Sequence, residues 1–502
     1  MKNKIILVII LAFLLSVSNQ NFASANTEHL EEKIKKIDTE IERNMDIHNI
    51  PGMAFALVDA NGILYSKGYG VLDISNDSLK INENTNFHIG SISKVFVTLA
   101  IMKLQEEGKM SIENPVVDYL PWFSTKNEEL SKEINIKHLL SHSSGLPSRL
   151  NVHEIDTMDR QVMFKEINNK LSSVDLVGKP GHVNEYTNMN TDLLQLVIEE
   201  ITGEAFTEYM QENILTPLHM DRTGYFTYDS SHLSNTAMGH RYHWGKIKPY
   251  KEKLVYATSG SAGLTSNVND LAKFIQLILS DGKSPEDSII SASSLNQMFK
   301  PVQERMGYNW YIYPHNMFMD GGLPGFTSTM VLSADKTFGL VLLSNSKQEI
   351  TLDTGFNLYR IVEGNEPTPL LESDYSKLHP DVQILGSIII VILTLILFIV
   401  GLTIFQLIKK KRRFFLVKPN NKKIGLISII VVVYIAVFYY LYVKVPFIIG
   451  VPTIFEIKNL PDFVSAIIIF TIVYSIFSLV LITKILLIQK TDKLKGRQEI
   501  IM

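Results

Sequence analysis

The sequence of 502 residues has no cysteine. Disulfides, thiolate metal sites and cysteine nucleophiles are therefore excluded, and any exported part must be stabilised by its core alone. No Gly-x-Ser-x-Gly run occurs, which argues against the nucleophile elbow of an α/β-hydrolase. Internal repeats and low-complexity tracts are also missing. Residues 26–365 carry 30 Lys and Arg against 43 Asp and Glu. That shortage of positive charge speaks against nucleic acid or anionic lipid as the ligand of this region.

What is present at the two ends is apolar. Met1 to Lys4 is a short basic start, Ile5 to Val17 an apolar core, and Ala23-Ser24-Ala25 a small-x-small site. This pattern predicts a secretory signal peptide over 1–25. Three uncharged runs follow in the last quarter, 383–408, 424–443 and 463–483, each long enough to cross a bilayer. They hold no Asp, Glu, Arg or His, unlike a transport path, which ionisable residues usually mark. The run Lys409 to Arg413 with Lys418, Lys422 and Lys423 places the first loop inside, and Lys490, Lys493, Lys495 and Arg497 place the tail 490–502 inside. Three crossings then put 26–365 outside, with 366–382 as a linker after Glu366-Pro367-Thr368-Pro369. The expectation is a multi-pass protein of the cell membrane with an extracellular domain.

Within 26–365, Leu30, Ile34, Ile37, Ile41 and Met45 recur at helical spacing. Asn61-Gly62 between two apolar runs predicts a hairpin. A second strand-rich block comes late, at 308–313, 317–319, 326–333 and 338–344, and helices are predicted at 192–202, 205–214 and 269–279. Strands at both chain ends with helices between them predict an α+β domain: one antiparallel sheet flanked by helices, plus a helical subdomain.

The chemistry centres on Phe87 to Phe96. If a helix opens at Gly90-Ser91, Lys94 lies on the face of Ser91 and its ammonium reaches the hydroxyl. The helix N-terminus and burial disfavour the protonated amine, which leaves a neutral base for a serine nucleophile. Ser-x-x-Lys also occurs at Ser280, Ser333 and Ser344, so context decides. Tyr186-x-Asn188 follows a Pro/Gly-rich loop and could share proton handling with Lys94 through a stabilised phenolate; taken alone it reads as a packed aromatic and a turn asparagine. Asp320-Gly321-Gly322-Leu323-Pro324-Gly325 could bring one N–H of an oxyanion hole, with Ser91 giving the other; taken alone it reads as a hairpin turn. His240 and His243 read as structural or surface residues, not as metal ligands.

In this order, Ser91-x-x-Lys94, Tyr186-x-Asn188 and the Gly-rich edge resemble the serine beta-lactamase and penicillin-binding-protein family in its class C-like branch. Ile136 to Pro147, Thr216 to Met220 and Gly260 to Leu264 match as well, and with its spans the chain resembles the membrane-anchored Flp (FmtA-like) members. The resemblance implies a beta-lactamase/DD-peptidase-like fold with Ser91 acylated, Lys94 as base, Tyr186 in proton transfer and Asn188 on the substrate. It implies an edge of Met319, Asp320, Gly321 and Gly322 along the substrate, and neither cofactor nor metal. The substrate it implies is an ester or peptide of the cell envelope, of peptidoglycan or teichoic-acid type. Met319 stands where the family carries Lys or His. Either the substrate differs, or His315 or another cation takes that place, or the domain is an impaired binding or sensor module.

Overall fold

The structure is a computed structural model. It describes residues 30–150, 152–225, 235–243, 246–283, 289–347, 350–370, 374–409, 412–414, 420–444 and 461–490. The expected signal peptide and the tail beyond 490 lie outside these residues. The chain divides into two compact units, one essentially up to Ser373 and one from Asp374 onward.

In the first unit seven strands form one antiparallel sheet. They are β1 (Gly52–Asp59), β2 (Gly62–Asp73), β3 (Asn76–Lys80), β4 (Tyr311–Ile312), β5 (Asn316–Leu323), β6 (Phe326–Ser333) and β7 (Gly339–Ser344), in the order β3-β2-β1-β7-β6-β5-β4. The β1–β7 pairing, Met53 opposite Ser344 through Val58 opposite Gly339, joins the two ends of the unit. Such non-local pairing is what strand-rich ends around a helical middle foretell. At the β1–β2 turn, Asp59 accepts from the amides of Asn61 and Gly62 at 2.7 and 3.0 Å.

β1 reads as a continuous apolar run because both of its faces are covered. Met53, Phe55 and Leu57 face one cluster with Ile37, Ile41, Leu340, Leu342 and Leu358, whereas Ala54, Ala56 and Val58 face another with Val341, Leu343 and the central helices. The first cluster is closed by α1 (30–48) and α5 (Ile350–Val362), and the second by α2 (Ser93–Glu106), α3 (Asn188–Thr202) and α4 (Val268–Leu279). Glu40 on α1 is buried and accepts from Asn357 on α5 at 2.8 Å, which ties the two outer helices together.

β4 is short and pairs only with Met317 and Phe318. The outer edge of β5 from Met319 to Leu323 is therefore left uncovered by strand. The turn before α2 packs there, and this placement builds the site.

The second unit contains α6 (Asp374–Ile408), α7 (Asn421–Tyr439) and α8 (Pro461–Leu487). α8 packs on both of the others, with Tyr434 and Ser475 hydroxyls 2.9 Å apart. Ile390, Leu397, Phe398, Val432 and Leu479 are exposed, an apolar surface of the kind that marks an interaction site. Two segments are long and apolar enough to span a bilayer, Asn421–Lys444 and Val464–Thr483; the first expected run yields a shorter apolar stretch, Ser387–Leu402. Among the described residues two of the three expected spans are found at full length, and the third run lies within α6. α6 also begins at Asp374, inside the expected linker, because its polar first turns continue the helix.

Candidate active site

Ser91 lies on a 3-10 turn, Gly90–Ile92, that runs directly into α2. Gly90 has φ +52, and a Cβ built on it would stand 2.8 Å from the Gly322 nitrogen. Only glycine allows this approach. The turn is fastened from three sides: Ser93 Oγ donates to Gly90 O at 2.7 Å, Ser328 Oγ donates to Ile89 O at 2.8 Å, and Ile89 N donates to Leu264 O at 3.1 Å.

Lys94 is completely buried. Its Nζ donates to Ser91 Oγ at 3.0 Å, to Asn188 Oδ1 at 2.9 Å and to Ser261 O at 2.8 Å. Burial pulls the pKa of Lys94 well below the ordinary lysine value, opposed in part by the charges of Asp192 and Asp320. Asp192 is equally buried, and burial pushes its carboxyl upward, with Ser261 and Lys94 pulling back. Neither carboxylate oxygen of Asp192 makes a hydrogen bond of standard geometry among the described residues. Both members of the pair are displaced toward their neutral forms, as low polarity demands.

Tyr186 differs from the expectation. Lys94 Nζ lies over its ring face, 5.2 Å from the centroid, so the ammonium does not stabilise a phenolate at the hydroxyl. Burial raises the Tyr186 pKa far above the usual phenol value, and Tyr311, Asp320 and Asp192 raise it further, with Ser91 as the opposing influence. Tyr186 is therefore a neutral phenol beside Ser91, able to donate and relay a proton but not to start as the base.

Beneath Tyr186 lies His142, with ring centroids 4.3 Å apart. His142 Nε2 is 2.9 Å from Asn309 Oδ1, and its Nδ1 accepts from Asn190 Nδ2 at 3.0 Å and Thr187 N at 3.3 Å. Because Asn309 Nδ2 donates to Thr98 Oγ1 at 2.9 Å, Asn309 Oδ1 must accept, which places the proton of His142 on Nε2. Burial and the neighbouring Lys94 push the His142 pKa down to about 3.

The Gly-rich edge contributes backbone. Gly321 abuts Ile89 O, and a Cβ on it would stand 3.0 Å from Ser91 N. The backbone around Gly321 and Gly322 thereby runs directly against the Gly90-Ser91 turn. Asp320 is half-buried on β5. Met319 is 1% exposed and belongs to the core, so it offers the site neither charge nor hydrogen bond. His315 does not replace it: this residue is at the far end of β5, where its carbonyl accepts from Tyr359.

The structure thus brings Ser91, Lys94, Tyr186, Asn188, Asp320, Gly321 and Gly322 together and leaves Met319 in the core. Sequence reasoning gave no role to the Ser261 carbonyl, Asp192 or His142. Asp192 carried a signal, since it follows Asn188 by one helical turn and shares its face. The other two depend on turns that only the tertiary fold brings under the site. The buried His240 is structural, with Nδ1 3.0 Å from Asn345 O.

Residues 37–360, well over half the chain, match the family described as Beta-lactamase. Protein flp of Staphylococcus aureus (strain MRSA252) is 28% identical over 323 residues, which cover 63% of this chain and 63% of that one. The match therefore spans just under two thirds of that relative. The crystal structure of FmtA from Staphylococcus aureus superposes with a TM-score of 0.55 at 26% identity, covering 68% of this chain and 93% of that one. A class C beta-lactamase shares the fold, with a TM-score of 0.57 at 19% identity over 67% of this chain and 98% of that one. With the seven-stranded sheet, the helical middle and the Ser91–Lys94 turn against the Gly-rich edge, this chain belongs to the beta-lactamase family.

Proposed function

We propose that the first unit is a serine acyl hydrolase that forms an acyl-enzyme on Ser91, acting on an ester or peptide of the cell envelope of D-alanyl ester or carboxypeptidase type. The observation that carries this reading is the 3.0 Å contact between Ser91 Oγ and the fully buried Lys94 Nζ. Once Lys94 has lost a proton, its Nζ keeps Asn188 and Ser261 as acceptors and itself accepts from Ser91 Oγ, whose proton it takes as that oxygen attacks the substrate carbonyl. The N–H groups of Ser91 and Gly322 hold the oxyanion. Tyr186 hands a proton to the leaving oxygen or nitrogen as the carbonyl re-forms, and Lys94 returns one to Tyr186. Water then attacks the acyl ester by the same route in reverse, which frees the acid and regenerates Ser91. Asn188 fixes the Lys94 ammonium and contacts the substrate.

The same reading places the unit outside a cell membrane, anchored by the two apolar spans and the apolar run of α6, with the basic tail inside; the asymmetry of Lys and Arg between the loops supports it. Labelling of full-length protein with a fluorophosphonate or a fluorescent penicillin, compared with Ser91→Ala, is the test. Equal labelling of both proteins would sink the proposal. Labelling of neither would favour a binding or sensor domain, the reading that the uncharged Met319 supports.

A further inference from the structure

The cation missing at Met319 has a counterpart from another strand. A Cβ built on Gly322 would stand 2.6 Å from Lys347 Nζ and 3.7 Å from its Cε. The ammonium thus lies directly against the residue to which the acyl-hydrolase reading gives an oxyanion N–H, in the space a side chain at 322 would fill. We propose that Lys347 is a substrate-binding residue that anchors an anionic group, a phosphate or a carboxylate, next to the scissile carbonyl. This inference rests on the acyl-hydrolase reading for its placement beside the reacting group.

The position of Lys347 follows from the scaffold. Gly322 pairs with Thr327, and Thr327 with Ser344 at the end of β7. Beyond Ser344 the chain is fixed: Thr327 Oγ1 donates to Ser346 O at 3.0 Å, and Lys347 N donates to His240 O at 3.1 Å. The buried His240 ring also binds Asn345 O, which holds the segment against β6. From this fixed backbone the Lys347 side chain reaches the side of Gly322 on which a Cβ would stand.

Among the described residues no carboxylate lies within ion-pair distance of Lys347, whereas Lys67, Lys137 and Lys336 each hold one. In a region with 13 more acidic than basic residues, an anionic substrate is repelled at long range and needs a local cation to dock. A lysine is a point charge on a flexible stem, suited to phosphate as well as carboxylate. Ser344-x-x-Lys347, one of the four Ser-x-x-Lys patterns, thereby serves the site through its lysine.

The test uses full-length protein in detergent and three D-alanyl esters built on one three-carbon skeleton: of glycerol, of glycerol 1-phosphate and of glycerate. For hydrolysis, the expected result is that Lys347→Met lowers the ratio of kcat/KM for an anionic ester to that for the neutral one about tenfold, mainly through KM, and that Lys347→Arg restores most of it. The anionic ester that loses most identifies the group recognised. An unchanged ratio, or one equally lost in Lys347→Arg, would overturn the assignment. Binding of the same esters to Ser91→Ala decides the matter without turnover. The anionic esters are expected to bind about tenfold tighter than the glycerol ester, and this difference is expected to vanish in Ser91→Ala/Lys347→Met. A difference that persists, or is absent from the outset, rejects Lys347 as the anchor whether or not Ser91 is acylated. Absence of Ser91 labelling alone rejects the hydrolase reading and leaves the binding result to stand on its own.

Discussion

His142 holds a left-handed backbone, φ +53, and from it stacks its ring on Tyr186 with centroids 4.3 Å apart. The imidazole is neutral and serves as an acceptor for two buried donors, Thr187 N and Asn190 Nδ2, that flank the tyrosine and Asn188 in sequence. His142 is therefore a positioning residue for Tyr186. His142→Phe keeps a ring under the phenol but strands both donors, at about 1–3 kcal/mol for each buried unsatisfied group. We expect a loss of at least about 2 kcal/mol in denaturant unfolding together with slower acylation of Ser91. Unaltered stability would refute the role.

Acylation is expected to rise with pH as Lys94 loses its proton, with the acid limb well below the ordinary lysine range because burial lowers that pKa. Asp192 opposes the shift through its charge. Asp192→Asn removes this opposition, so the acid limb of the fluorophosphonate rate should move to lower pH. A move to higher pH would show that Asp192 does not act on Lys94 in this way.

Lys94→Met removes the base and the donor to Asn188 and Ser261 together. General-base loss is worth about 10²- to 10⁴-fold in rate. We expect labelling of Ser91 to fall by at least about a hundredfold in stopped time courses, with the unlabelled protein still folded by circular dichroism. Labelling at the wild-type rate would assign the base elsewhere.

Gly90→Ala tests the contact between the catalytic turn and the Gly-rich edge. The new Cβ meets Gly322 N at 2.8 Å and sits on a left-handed backbone, a conformation that costs roughly 1–2 kcal/mol for other residues. Both effects displace the oxyanion donors. Acylation should drop more than tenfold while the unfolding midpoint shifts only modestly; an unimpaired rate would mean that the edge is not where the oxyanion forms.

Acid stability reports on the buried His142 and the half-buried His88, among others. Burial lowers the His88 pKa to about 4, and burial with Lys94 lowers that of His142 to about 3. Unfolded, both titrate near 6.5. Between about pH 4 and 6.5 the unfolded chain therefore binds protons that the folded chain does not, so stability rises with pH through this window and is complete above it. Each histidine contributes a slope of up to about 1.4 kcal/mol per pH unit. Denaturant unfolding of His88→Gln, which keeps a polar partner for Thr265, should show a slope smaller by up to about 1.4 kcal/mol per pH unit. An unchanged slope would exclude His88 as a contributor.

Local patterns alone determined much of this protein. The Ser91–Lys94 spacing, the Asn61-Gly62 hairpin, the α1 periodicity and the α+β order of elements all rest on contacts within a few residues or on a repeat along one element, and those are written in the chain. Apolar runs long enough for a bilayer are likewise properties of composition, although α6 starting at Asp374 shows that run length does not fix helix ends. The tertiary structure decided what depends on pairing across the fold. Met319 entered the core because β5 turns that face inward, and Lys347 reached Gly322 because β6 and β7 set its register. Tyr186 remained a neutral phenol because desolvation and the distant-in-sequence Tyr311 and Asp320 disfavour its phenolate, and the Lys94 pKa was lowered because the surrounding core excludes water. Burial and cross-strand register are sums over distant segments, and no window of sequence contains them.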